Sequence, residues 1–403
     1  MSVIVHCGDS RKVLAHIPSN SVDSVVSDAP YALGSIVRRF GGQGAAPARS
    51  EGASGVYRRA SDGFMGETWD VGDTAFDPSF WVEVWRVVKP GGHLLVASHT
   101  TTYHRLACAI EDAGFEIRDM ISWLYGTGFP KSHNHQRSGV KHGTALKPAC
   151  EPWVLARKPL QGSVADNVRI WGTGALNIDG ARVGDEVRKA AFTSFAPCAG
   201  NRLGEPGTAT ATATATARRG TQGEAQEYVG RWPANVAHDG SDEVIAAFPL
   251  APGQLAPGQL APTSIKPGQK TSGIYGKMSR EGEASAARRY TDSGSTNFAA
   301  LPVQRRHDEG SAARFFYSAK ATKADRAGSR HPTVKPVALM QWLCRLATPP
   351  GGVVLDPFAG SGTTGAAALR EGFGAILIEQ QPKFVADIER RLNLERAALR
   401  GAA

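Results

Sequence analysis

Residues 352–379 constrain the fold more than any other stretch. The apolar run Val353-Val354-Leu355 ends in Asp356-Pro357-Phe358-Ala359-Gly360-Ser361-Gly362, and helix-forming residues follow from Thr364 to Glu371. A second apolar run, Ala375-Ile376-Leu377-Ile378, then closes on Glu379. Strand, glycine loop, helix and strand in this order make the opening half of a nucleotide-binding α/β unit. Gly360 and Gly362 are expected to let a ligand approach the backbone, because no Cβ intrudes. Glu379 sits about 20 residues beyond the loop, where an acidic side chain bonds ribose hydroxyls in such units.

The loop lacks GxGxxG spacing and carries no Walker lysine, which disfavours both NAD and ATP. S-adenosylmethionine (SAM) fits better, with a ribose and an adenine but no phosphate. Only two strands of the unit are made before residue 403, so the sheet must be completed from elsewhere. Residues 3–7 supply a third strand, with Asp9 placed near the adenine, and residues 22–26 a fourth. In a 3-2-1-4-5 order the fourth strand lies beside the first. Asp28 and Asp356 would then sit at neighbouring strand ends, and the sheet would be circularly permuted. Asp28-Ala29-Pro30-Tyr31 becomes an acidic-aromatic clamp suited to a flat base carrying an amino group.

The rest of the chain supports this layout. Residues 1–159 alternate strand-like and helix-like runs, including a helix over 80–88 stopped by Lys89-Pro90-Gly91-Gly92. Such alternation implies a parallel sheet covered on both faces. Residues 34–66 turn Gly-, Ala-, Ser- and Arg-rich and read as a mobile loop. Residues 160–325 hold few periodic apolar runs. Within them, 208–217 alternate Thr and Ala, and 251–262 carry Ala-Pro-Gly-Gln-Leu twice in tandem. Composition of this kind is expected to stay loose, with ordered islands near 171–183, 232–248 and 315–319. The α/β pattern returns over 326–403. Three parts are therefore expected: 1–159 and 326–403 as two pieces of one core, and 160–325 as an irregular region between them.

The formal net charge is +9 and the pI about 9.4. This surplus fits a polyanionic partner and equally a basic solubility face. Five cysteines without a CxxC pair fit a reducing cytosol. The amino terminus has no signal-peptide pattern, and no run approaches the length of a membrane span, so no membrane partner is expected. His133 and His135 lack further ligands at metal spacing, and no metal site is expected.

Three motifs agree in type and order with one family. The chain resembles the β group of DNA amino-methyltransferases. In these a catalytic Asp-Pro-Pro-Tyr motif comes first, a target-recognition region follows, and the cofactor glycine motif comes last. His331-Pro332-Thr333-Val334-Lys335-Pro336 matches a further hallmark. The resemblance covers about residues 1–160 and 325–400. It implies a Rossmann-like, circularly permuted SAM-dependent methyltransferase fold, with a mixed sheet and helices on both faces.

By the resemblance, Asp28 and the main-chain carbonyl of Ala29 accept hydrogen bonds from the target amine within the Asp28, Ala29, Pro30, Tyr31 motif. Tyr31 stacks on the flipped base. Phe358, Gly360 and Glu379 hold SAM in a loop that includes Asp356 and Gly362, with Lys335 and Asp9 assisting. Ala29 departs from the family's usual Pro, which leaves the carbonyl but loosens the loop. Trp123, Tyr125, Lys131, Arg58 and Arg59 are candidate DNA contacts. The activity implied is transfer to the N6 amine of adenine in duplex DNA, with base flipping. Asp at position 28 favours adenine, and the alternatives are cytosine N4 or a DNA-binding homologue with a weakened site. An RNA or protein amide methyltransferase fits the long basic middle and the motif order less well. The resemblance also implies a homodimer in a bacterial or phage setting, cytoplasmic and nucleoid-associated, and allows a cognate restriction nuclease as partner.

Overall fold

The computed structural model describes residues 2–31, 74–128, 135–137, 139–190, 226–250, 271–273, 276–278, 311–320, 322–329, 331 and 333–401. Arg58, Arg59, Lys131, the 34–66 loop, the Thr-Ala alternation and the tandem Ala-Pro-Gly-Gln-Leu copies lie outside these residues. The chain divides into two compact units. The larger takes Met1–Gly184, Arg231–Ala247 and Ala313–Ala403; the smaller takes Asp185–Gly230 and Phe248–Ala312. Within the smaller unit, Thr271–Gly273 pairs antiparallel with Gly276–Met278, and Leu250 bridges Ser311.

The larger unit is built on one mixed sheet. Its strands are β1 (Val3–Cys7), β2 (Val22–Asp28), β3 (Val88–Ala97), β4 (Glu116–Leu124), β5 (Cys150–Arg157), β6 (Val236–His238), β7 (Tyr317–Ser318), β8 (Val353–Asp356) and β9 (Gly374–Glu379). They lie side by side in the order β1-β9-β8-β2-β3-β5-β4-β6-β7. The two carboxyl-terminal strands thus fill the space between the two amino-terminal ones. β8 runs parallel to β2 with Val354 opposite Ser24 and Leu355 opposite Val25. β6 and β7, from two of the islands expected in the middle region, extend the far edge.

Both faces of the sheet are buried, which is why its central strands read as unbroken apolar runs. Successive residues point to opposite sides. Val25, Leu94, Val96, Leu355 and Ile378 join one core, together with Leu14, Phe80, Trp81, Leu106 and Ile110. Val26, Leu95, Ala97, Val354 and Leu377 join the other, together with Leu339, Leu343, Ala367, Ile388 and Leu392. The first core is closed by α1 (Ser10–Leu14), α2 (Pro78–Val87) and α3 (Tyr103–Asp112); the second by α4 (Val337–Ala347), α5 (Thr363–Arg370) and α6 (Pro382–Gly401). Asp9 caps α1 through the Arg11 amide. Asp77 caps α2, with Pro78 in its first turn.

One expectation needs correction. The sheet is mixed, as the resemblance implies, and not parallel, as the strand–helix alternation alone suggests, because β5 runs antiparallel between β3 and β4. No helix stands between Leu124 and Cys150 among the described residues, and a parallel return needs a crossover of that kind. Lys89-Pro90-Gly91-Gly92 follows the end of α2 at Val87, as the sequence implies. β3 begins at Val88, directly after α2, and the four residues form an irregularity between the Val22–Val88 and Ser24–His93 pairings.

Candidate active site

The carboxyl ends of β1, β2, β8 and β9 open on one cleft of about 1200 Å³. It is lined by Asp9, by Asp28 through Tyr31, and by Asp356 through Ser361, with Lys335 and Glu379 also on its wall. The two motifs separated by more than 300 residues therefore face one space. Asp356 ties them. Its carboxylate accepts from Ser27 Oγ of β2 at 2.6 Å, from Thr364 Oγ1 at 2.5 Å and from the Phe358 amide at 3.1 Å. Burial raises the Asp356 carboxyl to about 6, against these three hydrogen bonds.

On the glycine-loop side, Glu379 is 9% exposed. It accepts from the Gly360 amide at 2.9 Å and the Gln381 amide at 2.8 Å. Burial lifts it to about 7 in spite of both bonds. Gly360 has φ +51° and lines the cleft. Gly362 does not line it. It adopts φ +76° at the start of α5, and a Cβ there would come within 2.9 Å of Ile388. Its small size serves helix packing and the loop's exit rather than the cleft. Phe358 packs its ring on Phe80, with centroids 5.1 Å apart. Ser10 Oγ donates to the Pro357 carbonyl at 2.5 Å, which joins the start of α1 to the same loop.

On the other side, Tyr31 OH donates to Asp28 Oδ1 at 3.0 Å. Lys335 Nζ donates to Asp28 Oδ2 at 2.8 Å and to Tyr31 OH at 3.0 Å. It also lies 3.1 Å from Glu151 Oε2. Burial opposes the Lys335 charge, yet Asp28 and Glu151 together raise its pKa above the ordinary lysine value. Burial, then the Asp28 and Glu151 carboxylates, push the Tyr31 phenol well up. The Glu151 carboxyl is raised by burial and held back in part by Lys335. Lys335 thus reaches the tetrapeptide rather than the glycine loop.

Glu151 carried no motif in the sequence. Its only signal is a charge one residue before Pro152-Trp153-Val154-Leu155-Ala156, a run that forms buried β5. Arg391 was missed as well. Its guanidinium is 1% exposed on α6. It donates to the Ser361 carbonyl at 2.8 Å and to the Asp325 carbonyl at 2.7 Å. Asp325 in turn accepts from the Val337 amide at the head of α4, just after Lys335. The signal was a cation among the apolar positions Phe384, Ile388 and Leu392 of an amphipathic helix.

Of the candidate DNA contacts, Tyr125 lines the cleft. Trp123 is 8% exposed and belongs to the core, with its ring 5.3 Å from that of Tyr125. His331 packs edge-on against Phe384 and bonds the Thr333 carbonyl through Nδ1 at 2.6 Å. Asp9 is exposed at the cleft edge as the cap of α1.

Residues 214–390 match the model of a family described as DNA methylase (N6_N4_Mtase). YubD of Escherichia coli strain K12, described as a methylase, is 46% identical over 81 residues, 19% of this chain and 35% of that protein. The DNA adenine methyltransferase YhdJ of the same strain is 45% identical over 64 residues, 16% of this chain and 22% of that one. The chain thus spans about a third or less of the curated relatives it matches. The solved structure of M1.HpyAVI with SAM covers 97% of this chain and 99% of its own, at 13% identity and a TM-score of 0.40. Among the described residues, no helix is long and apolar enough to cross a membrane.

Proposed function

We propose that this chain is a SAM-dependent DNA methyltransferase that acts on the exocyclic N6 amine of adenine, on the circularly permuted plan of the β group. The observation that carries the reading is the single cleft shared by the Asp28–Tyr31 clamp and the Gly360–Glu379 loop. The partial match to DNA methylases supports it.

The residues present fit SAM. Gly360, Glu379 and Asp9 line the cleft: Gly360 would bring bare backbone to the cofactor, the Glu379 carboxylate would meet the ribose hydroxyls, and Asp9 would lie near the adenine. Of the lysines that line the cleft among the described residues, Lys335 is engaged by Asp28, Tyr31 and Glu151 and Lys147 by the Gly126 carbonyl. When bound, SAM supplies an activated methyl group: the nitrogen lone pair forms the new N–C bond, the C–S electron pair stays on sulfur, and the nitrogen sheds one proton to water past Asp28.

The protein's part is orientation and electrostatics. An exocyclic amine is a poor nucleophile because its lone pair is spread into the ring. Asp28 and the Ala29 carbonyl draw on its two N–H groups and favour a tetrahedral nitrogen. The base has to leave the duplex to reach the cleft, at a cost of roughly a few kcal/mol. Stacking on Tyr31 offsets about 1–3 kcal/mol of that. The basic Arg pair at 58–59 and Lys131 are proposed phosphate contacts, with residues 160–325 supplying target recognition, in a homodimer.

The test is a base-resolution methylation map of DNA from cells expressing the chain, beside Asp28→Ala. N6-methyladenine at one short site, lost in D28A with SAM affinity kept within about threefold by calorimetry, is the expected result. N4-methylcytosine at that site would reassign the base. No methylated base at all would end the reading.

A further inference from the structure

Lys335 Nζ donates to Asp28 Oδ2 and Tyr31 OH and forms an ion pair with Glu151 Oε2 at 3.1 Å. Glu151 Oε2 accepts no hydrogen bond, so its tie to the ammonium is electrostatic. Tyr31 OH in turn donates to Asp28 Oδ1. Each Asp28 oxygen therefore holds one hydrogen bond and keeps lone-pair capacity for one more. Glu151 stands at the start of β5, opposite Trp123 of β4. Lys335 is 7% exposed and Glu151 17% exposed at their side chains, so water replaces neither partner well.

We infer that Glu151 is a positioning residue for methyl transfer: it shares the Lys335 ammonium with Asp28 and so leaves the Asp28 carboxylate able to accept the target amine. Two carboxylates around one ammonium leave the base pocket with a surplus negative charge. That surplus faces the nitrogen on which positive charge grows as the methyl group arrives. Without Glu151, the ammonium loses its second carboxylate and its charge settles wholly on Asp28. The pair is then neutral, and Asp28 becomes a weaker acceptor where the reaction needs a strong one. Glu151 lines the cleft, and its effect on the target amine runs through Lys335. The inference rests on the reading of the cleft given above.

The experiment uses the full chain as Glu151→Gln, Lys335→Met and the double variant. The first readout needs no SAM: binding of duplex carrying the target base, compared with duplex in which that base lacks its exocyclic amine. Wild type should prefer the amine, and E151Q should lose the preference to within about twofold. The second readout is the single-turnover rate, expected to fall by about tenfold or more in E151Q with SAM affinity nearly unchanged. In the K335M background, E151Q should add less than about a twofold change, because the two act as one unit. E151Q indistinguishable from wild type in both readouts, or effects that simply multiply with K335M, would overturn the inference while leaving the reaction standing. Should E151Q not fold, Glu151→Asp carries the same comparison, since it keeps the charge but shortens the reach to Lys335; a wild-type amine preference there would overturn it too. A wild-type chain that transfers no methyl group to DNA overturns the reaction, and the inference with it.

Discussion

At the scale of single residues, the cleft is a set of buried charges whose protonation is set by what surrounds them. Glu379 shows this most clearly. Its carboxyl titrates at about 7 in the folded chain against an ordinary 4.5, because burial outweighs two backbone hydrogen bonds. Between those values the folded protein holds a proton that the unfolded chain has lost. The stability contributed by Glu379 is therefore full below pH 4.5 and is lost as pH rises through 7. Glu379→Gln removes this dependence. The melting temperature of the variant relative to wild type, both without ligand, should rise from pH 5 to pH 8, with an upper bound of about 3 kcal/mol on the change. A difference between the two melting curves that is flat with pH would show that Glu379 is solvated in the folded chain.

At the scale of elements, the site depends on helices that never reach it. Arg391 on α6 holds the glycine loop by the Ser361 carbonyl and the turn before Lys335 by the Asp325 carbonyl. Arg391→Met keeps much of the volume but strands both carbonyls, at about 1–3 kcal/mol for each buried group left unpaired. The urea midpoint should fall accordingly. Arg391→Lys should recover only part of it, because one ammonium cannot span the two directions of a guanidinium. An unchanged midpoint in R391M would mean that water takes over both acceptors. Gly362 belongs to the same contact. The loop's second glycine is required by Ile388 of α6 as well as by its own left-handed φ.

At the scale of the whole molecule, the two ends of the chain make one sheet. β9 and β8 sit between β1 and β2, and Asp356 of β8 is bonded to Ser27 of β2. A chain stopped at residue 325 would leave β1 and β2 without the strands between them and would open one core along its length. Calorimetry on that fragment should show no cooperative transition, and co-expression with residues 326–403 should restore one. Cooperative melting of the 1–325 fragment alone would show that the amino-terminal strands close on each other, against the observed order.

Much of this was legible in the sequence, because it was written in local chemistry. Apolar runs of strand length, a glycine loop before a helix, and an acidic residue at a strand end each read from a few consecutive residues. The adjacency of β2 and β8 followed from them, since a ligand cleft in such a sheet forms where strand order reverses. Asp28, Tyr31, Asp356, Gly360 and Glu379 all reach the cleft that this logic located. What the sequence could not yield depends on register and packing between distant segments. Which strand of the mixed sheet runs antiparallel was hidden, because a strand pattern carries no direction. Trp123 became core while Tyr125, two residues on in the chain, reached the cleft, which only the depth of the β4–β5 pairing decides. Glu151, Lys335 and Asp28 come from three separate stretches of chain, and their meeting depends on where three backbones end in space. Local pattern can say that a residue is buried and charged; only the tertiary structure supplies the counter-charge that makes it affordable.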